Sequence, residues 1–187
     1  MNIEVLRLPE VRDVYRQQLI YDFPDDERKP LGRIEKTLKE GRYLCCGIKD
    51  ESGVAAYAFF VVIEKHYLID YYAVRKDLRG TGVGSAFLKE LCRCRLQNAS
   101  CVLAEVDDPA CADSDEDRVI RERRLSFYLK NGLRNTGAKA RAYGVCFLIL
   151  EIPLGDPHTR EEAEEIYSGI YRAILPERIY TRMIKIL

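Results

Sequence analysis

The segment His66–Gly84, HYLIDYYAVRKDLRGTGVG, constrains this chain most, because an apolar, aromatic run passes through a cationic hinge into a glycine-rich turn that opens a helix. His66 to Val74 reads as an interior strand, and from Val83 onward apolar residues recur at Val83, Phe87, Leu88, Leu91 and Cys94 with helical spacing. The turn Arg79, Gly80, Thr81, Gly82, Val83, Gly84 is therefore expected at a helix N-terminus. Glycines there remove side chains that would hold an anion away from the backbone. The first helical amides lack partners, and the macrodipole adds about half a positive charge. Arg79 adds a full charge, and a phosphate is the ligand such a turn suits.

The spacing excludes the common nucleotide motifs. A Walker A loop ends in Gly-Lys-Ser/Thr, and no such triplet follows. A dinucleotide fingerprint begun at Gly80 and Gly82 puts Ser85 at its third glycine, and no acidic residue stands at a matching second strand end. Arg-x-x-Gly-x-Gly does fit, with Arg79, Gly82 and Gly84.

On these residues the chain resembles the GNAT superfamily of acyl-CoA-dependent N-acyltransferases, whose Arg/Gln-x-x-Gly-x-Gly/Ala turn follows the fourth strand and holds the coenzyme A pyrophosphate. A second landmark, Phe127-Tyr128-Leu129-Lys130-Asn131-Gly132-Leu133, resembles the family's Phe-Tyr-x-x-x-Gly-Phe segment, with Leu133 in place of the usual Phe. The resemblance covers about residues 43–150. It implies acetyl-CoA, the family's default donor, as acyl donor, with the backbone of Ala73 and Val74 on the pantetheine and the amides from Arg79 through Gly80, Thr81, Gly82 and Val83 to Gly84 on the pyrophosphate. It also implies Tyr128 as the acid that protonates the leaving thiolate.

Acyl transfer to an amine needs a base as well, together with a donor to the developing oxyanion. Glu105 interrupts the apolar strand CVLAEV, where a carboxylate is costly to bury without a partner. Asp70 is similarly placed in LIDYYAV, sharing a face with Tyr72 and Val74 by the two-residue period. Glu105 ranks first as base and Asp70 second, and either could instead be a structural ion pair with one of the many arginines. Arg75 and Lys76 could reach a 3′-phosphate or be solvated strand-end charges.

Composition narrows the partners. With 30 basic and 30 acidic residues the net charge is zero, so no field of one sign favours nucleic acid or a membrane surface. No apolar run approaches the ~18 residues of a membrane span, and the charged N-terminus lacks a signal peptide's apolar region, which makes the cytoplasm the expected location. Seven scattered cysteines without a C-x-x-C pair, and only two histidines, argue against a zinc site or disulfide framework, and no metal is expected. Cys111, in a polar loop, is the thiol to watch.

The acidic stretch from Glu105 to Asp117 carries seven carboxylates, yet Arg118 stands where an EF-hand needs glycine. A solvated loop favouring the next helix N-terminus accounts for it; recruitment of a cationic amine by Asp107 and Asp108 is the functional alternative.

The expected fold is α/β, a mixed, largely antiparallel seven-stranded GNAT-like sheet with helices on both faces. Strands are predicted at Asn2–Leu8, Tyr43–Ile48, Val54–Ile63, His66–Val74, Ser100–Val106, Ala138–Tyr143 and Cys146–Ile152. Helices are predicted at Glu10–Tyr21, ended by Asp22-Phe23-Pro24-Asp25-Asp26, and near residues 31–39, 83–97 and 117–131. On the resemblance, residues 1–155 are expected to form a GNAT-like acyltransferase domain and 156–187 a C-terminal helical extension packed on the same domain. Thr159 and Glu162 read as a capping box there, before an apolar face at Ala163, Ile166, Tyr167, Ile170, Tyr171 and Ile174. That face suits packing on the sheet, a homodimer contact or a wall of the substrate site, and Ile179–Leu187 has no predicted place. The acceptor is an unidentified small-molecule or peptide amine, and acyl length is open. The competing expectation is a catalytically degenerate domain acting as a coenzyme A sensor or protein-binding module.

Overall fold

The computed structural model describes residues 2–25 and 27–187; Met1 and Asp26, the last residue of the expected helix break, lie outside the described residues. The described residues divide into two compact units, 2–62 with Ile69–Gln97, and Ile63–Leu68 with Asn98–Leu187.

The first unit opens with the short strand β1 (Glu4–Val5) and the helix α1 (Leu8–Val14), which runs on through a π-helical turn at Tyr15–Leu19 into α2 (Ile20–Asp22). Then come α3 (Leu31–Lys39), β2 (Tyr43–Asp50), β3 (Gly53–Ile63), β4 (His66–Val74), whose first three residues fall in the second unit, and α4 (Val83–Cys94). β2 pairs antiparallel with β1 and with β3, the latter hairpin closing at Asp50 and Gly53. Gly47 sits where β2 meets both a helix-side residue and its partner strand: a Cβ there would stand 3.2 Å from the Ala56 carbonyl and from the Leu6 methyls. Phe59 anchors an aromatic cluster, with edge contacts to Tyr43 and Tyr71 at 6.0 and 6.2 Å and a tilted contact to Tyr57 at 5.4 Å. Leu19, Ile34, Phe87, Leu88 and Leu91 are fully buried.

The second unit contains β5 (Cys101–Asp107), α5 (Asp115–Lys130), β6 (Arg134–Ala142), β7 (Val145–Ile152), α6 (Arg160–Ile174), α7 (Glu177–Met183) and β8 (Ile184–Ile186). Its strands follow the order β5-β7-β6-β8, every pair antiparallel. Tyr143 (φ 51°) and Gly144 (φ 92°) join β6 to β7, both in the left-handed region that a tight two-residue hairpin requires. α6 packs on β6 and buries Ala163, Tyr167, Ile170 and Tyr171. Both arms of its capping box form: the Glu162 amide donates to Thr159 Oγ1 at 3.2 Å and the Thr159 amide to Glu162 Oε2 at 2.7 Å.

The fold is mixed α/β and largely antiparallel, as the sequence predicts. Among the described residues there are eight strands rather than seven. The added one, β8, comes from the tail after α6, where three residues are too few to show alternation and pairing with β6 fixes them as a strand.

Candidate functional site

In the first unit the glycine-rich turn leads into α4 as expected. Gly80 (φ 77°) and Gly82 (φ 89°) hold left-handed conformations that a side chain would strain. A Cβ at either would meet nothing within 4 Å, so the space beside the turn is open. Gly82 is the N-cap of α4, no side chain caps the helix, and residues 79–82 are exposed. The first amides of a 12-residue helix thus meet a cradle with room for an anion. The Thr81 hydroxyl donates to the Leu78 carbonyl at 2.6 Å and the Tyr72 hydroxyl to the Gly84 carbonyl at 2.5 Å, while the Tyr72 ring stacks on Phe87. The turn is held in shape from both sides.

Arg79 is engaged in that holding. Its Nε donates to the Val74 carbonyl at 2.9 Å and its Nη2 to Oδ1 of Asp22 at 2.6 Å. The other oxygen of Asp22 accepts from the Tyr57 hydroxyl at 2.9 Å, and the Asp22 side chain is only 6% exposed. Burial, reinforced by the Asp22 charge, pushes the Tyr57 hydroxyl upward, so it stays a donor. The guanidinium therefore clamps the end of β4 to the end of α2 and spends its charge on Asp22. Sequence reasoning missed Asp22 and Tyr57: Asp22 read only as part of a helix break, and nothing local marks a partner 57 residues from Arg79. Arg75 is likewise spoken for, binding both oxygens of Asp50 at 2.9 and 2.6 Å and Asp77 at 2.8 Å, whereas Lys76 is exposed. Ala73 is buried and Val74 half-buried at the end of β4.

Asp70, also in this unit, accepts from the Lys29 ammonium and the Tyr43 hydroxyl, with its side chain 8% exposed. It stands in an ion pair, as its alternative role has it, but with Lys29 rather than with an arginine.

In the second unit Glu105 lies half-buried on β5, where Oε1 accepts from the hydroxyls of Tyr167 at 2.5 Å and Tyr171 at 2.8 Å. Both tyrosines belong to α6, so the C-terminal helix supplies the partners that the strand carboxylate needed. Tyr128, near the end of α5, is buried and edge-on to Phe127 at 5.2 Å. Burial pushes its phenol up to about 12, against the opposing pull of the Arg124 cation. Asp107 is paired with Arg124, and Asp108 with Lys139 at 2.8 Å and the Ala110 amide at 2.9 Å. Both carboxylates proposed for amine recruitment are thus neutralised within the chain.

Cys101, Glu151 and His158 bring one potential metal-ligand atom each to within 4.8 Å of one another. The buried Glu151 carboxylate, however, already bonds Arg134 through Oε2 at 2.5 Å and His158 Nδ1 through Oε1 at 2.5 Å. A guanidinium beside the central ligand opposes a second cation there.

Solved structures share this fold. A GNAT-family protein from Bacteroides thetaiotaomicron superposes with a TM-score of 0.65 at 19% identity, over 93% of this chain and 96% of its own. The ribosomal-protein-S18-alanine N-acetyltransferase of Escherichia coli gives 0.54 at 20% identity, over 84% and 96%. A GNAT-like decarboxylase in complex with isobutyryl-CoA gives 0.62 at 15% identity, over 83% and 100%. At such identities the likeness is one of fold. No curated protein sequence matches the chain. The sequence profile of the acetyltransferase (GNAT) family, however, matches residues 8–112, more than half of the chain and inclusive of the turn from Arg79 to Gly84, and the chain therefore belongs to that family.

Proposed function

We propose that this protein is an acyl-CoA-dependent N-acyltransferase, with acetyl-CoA as donor and a small-molecule or peptide amine as acceptor, transferring the acyl group by direct attack in a ternary complex. The observation that carries the reading is the open, uncapped N-terminus of α4 behind two left-handed glycines, a cradle that suits the coenzyme's pyrophosphate. In this reading the amides from Arg79 to Gly84 take the pyrophosphate and the strand-end backbone of Ala73 and Val74 takes the pantetheine. Arg79 frames the turn rather than neutralising phosphate.

Tyr128 is the proposed acid. A phenol near 12 is protonated at neutral pH and can pass its proton to a leaving thiolate. Glu105 is the first candidate for the base and Asp70 the second. The two tyrosine hydroxyls on Oε1 hold the Glu105 carboxylate in place, from where it would take a proton from an ammonium or its relay water. That both carboxylates are already bonded within the protein favours a second reading, a coenzyme-binding domain without turnover.

Calorimetric titration with acetyl-CoA and free coenzyme A tests the site, with Gly82→Asp and Gly82→Asn as paired variants. Both substitutes have similar bulk and tolerate left-handed backbone better than most residues, so their difference reads charge at the cradle. Like charge against phosphate costs several kcal/mol, an affinity loss of roughly a hundredfold or more in Gly82→Asp beyond Gly82→Asn. Equal affinities would remove the pyrophosphate assignment. Binding without thiol release across a panel of amines would favour the second reading.

A further inference from the structure

We infer that Cys111 and Cys146 form an oxidisable thiol pair, a modification site at which a peroxide converts two neighbouring thiols into an intramolecular disulfide. The inference does not rest on the acyltransferase reading.

Backbone bonds bring the two residues together. Pairing of β5 with β7 continues one residue past Asp107 and Phe147, so that the Asp108 amide donates to the Cys146 carbonyl at 2.9 Å. Asp108 then fixes a tight turn over Pro109–Cys111: its Oδ1 accepts from the Ala110 amide at 2.9 Å and its carbonyl from the Cys111 amide at 3.0 Å. Lys139 holds its other carboxylate oxygen at 2.8 Å, and Arg121 reaches its carbonyl at 3.2 Å. Cys111 is thus tied to the residue that is itself tied to Cys146, and each thiol shifts the other's titration.

A cation completes the arrangement. Arg141 is the direct cross-strand partner of Cys146, and its Nη2 stands 3.4 Å from the Cys146 sulfur. The Cys111 thiol and the Arg141 guanidinium both favour a thiolate at Cys146 and draw its titration below the ordinary thiol range, against the opposing charge of Asp108. Cys111 shifts upward, chiefly through Cys146. Cys111 and Arg141 are exposed, so Cys146, itself 8% exposed, is bordered by solvent-facing side chains. Elsewhere burial pushes the thiols of Cys46 and Cys101 up to about 12, and Cys45 and Cys92 upward as well.

The chemistry balances with hydrogen peroxide as oxidant. The Cys146 thiolate attacks one peroxide oxygen, the O–O bond breaks, and the departing hydroxide takes a proton to become water, leaving a sulfenic acid. The Cys111 sulfur then attacks the Cys146 sulfur, the S–O bond breaks, and a second water leaves with the Cys111 proton. Two thiols lose two electrons, and the peroxide gains them.

The test treats the full chain with hydrogen peroxide and maps non-reduced peptides by mass spectrometry. The expected product is one linked peptide pair containing Cys111 and Cys146, lighter by two hydrogens and restored by dithiothreitol. In Cys111→Ser the sulfenic acid should persist at Cys146 and be trapped by dimedone; Arg141→Met should slow disulfide formation several-fold at neutral pH while circular dichroism stays unchanged. Absence of the linked pair, disulfides only between chains, or dimedone trapping at Cys111 but never at Cys146 would overturn the inference.

Discussion

A phenol held at about 12 keeps its proton through the range in which an acyltransferase works, which gives Tyr128 its proposed role and makes it separable from packing. Tyr128→Phe preserves the ring against Phe127 and removes only the hydroxyl. Coenzyme affinity should stay within about twofold, whereas kcat should fall by roughly a hundredfold or more, the usual worth of a general acid. Steady-state kinetics beside calorimetry would check this, and full turnover would assign the proton to water or another group. Asp22 is the other residue on which much depends, since it receives both Arg79 and Tyr57. Asp22→Ala leaves a buried hydroxyl without that acceptor, and urea unfolding should show a loss of about 1–3 kcal/mol. Coenzyme binding should weaken as well, because the turn loses its clamp to α2.

Among the elements, α6 ties the C-terminal segment to β5 and β6. Tyr167→Phe removes one of the two hydroxyls on Glu105 and should cost about 1–2 kcal/mol, and Thr159→Ala about 1 kcal/mol through the N-cap. Thermal unfolding would measure both. The cap was legible in the sequence because Thr159 and Glu162 lie within one turn, and the glycine turn was legible because its chemistry is contiguous. Glu105 was legible as an anomaly, a charge in an apolar strand. Its partners were not, because Tyr167 and Tyr171 recur with the apolar spacing of α6 and look like core, which they also are. The same limit hid the Arg79–Asp22 clamp and the Asp70–Lys29 pair, whose members stand 57 and 41 residues apart. Local periodicity says that a charge needs a partner but not which one tertiary structure delivers.

For the molecule as a whole, the buried phenols and thiols set an alkaline limit. Tyr43, Tyr57, Tyr71, Tyr128 and Tyr167 all titrate above the ordinary phenol, chiefly through burial, and Cys46 and Cys101 near 12 above the ordinary thiol at 9. A group whose folded pKa is raised contributes stability that is fully present below its unfolded value and is lost as pH rises toward the folded one. Stability should therefore hold to about pH 9 and decline from there to about pH 12, with tyrosinate absorbance rising together with the loss of circular dichroism. Ionisation of these tyrosines before unfolding would contradict the assignment.

The two shortest strands carry a different consequence. β1 has two residues and β8 three, and each stands at one end of its unit's strand order, with the exposed Lys185 at the centre of β8. A strand that short and charged offers a neighbouring molecule too few backbone groups to grow a sheet on. Behind it lies the edge that β8 occupies, residues 140–142 of β6, with Leu187 donating to the Lys139 carbonyl beyond it. Residues 184–187 thus cover this edge of β6, and a variant lacking them should form concentration-dependent multimers in light scattering under conditions where the parent chain does not.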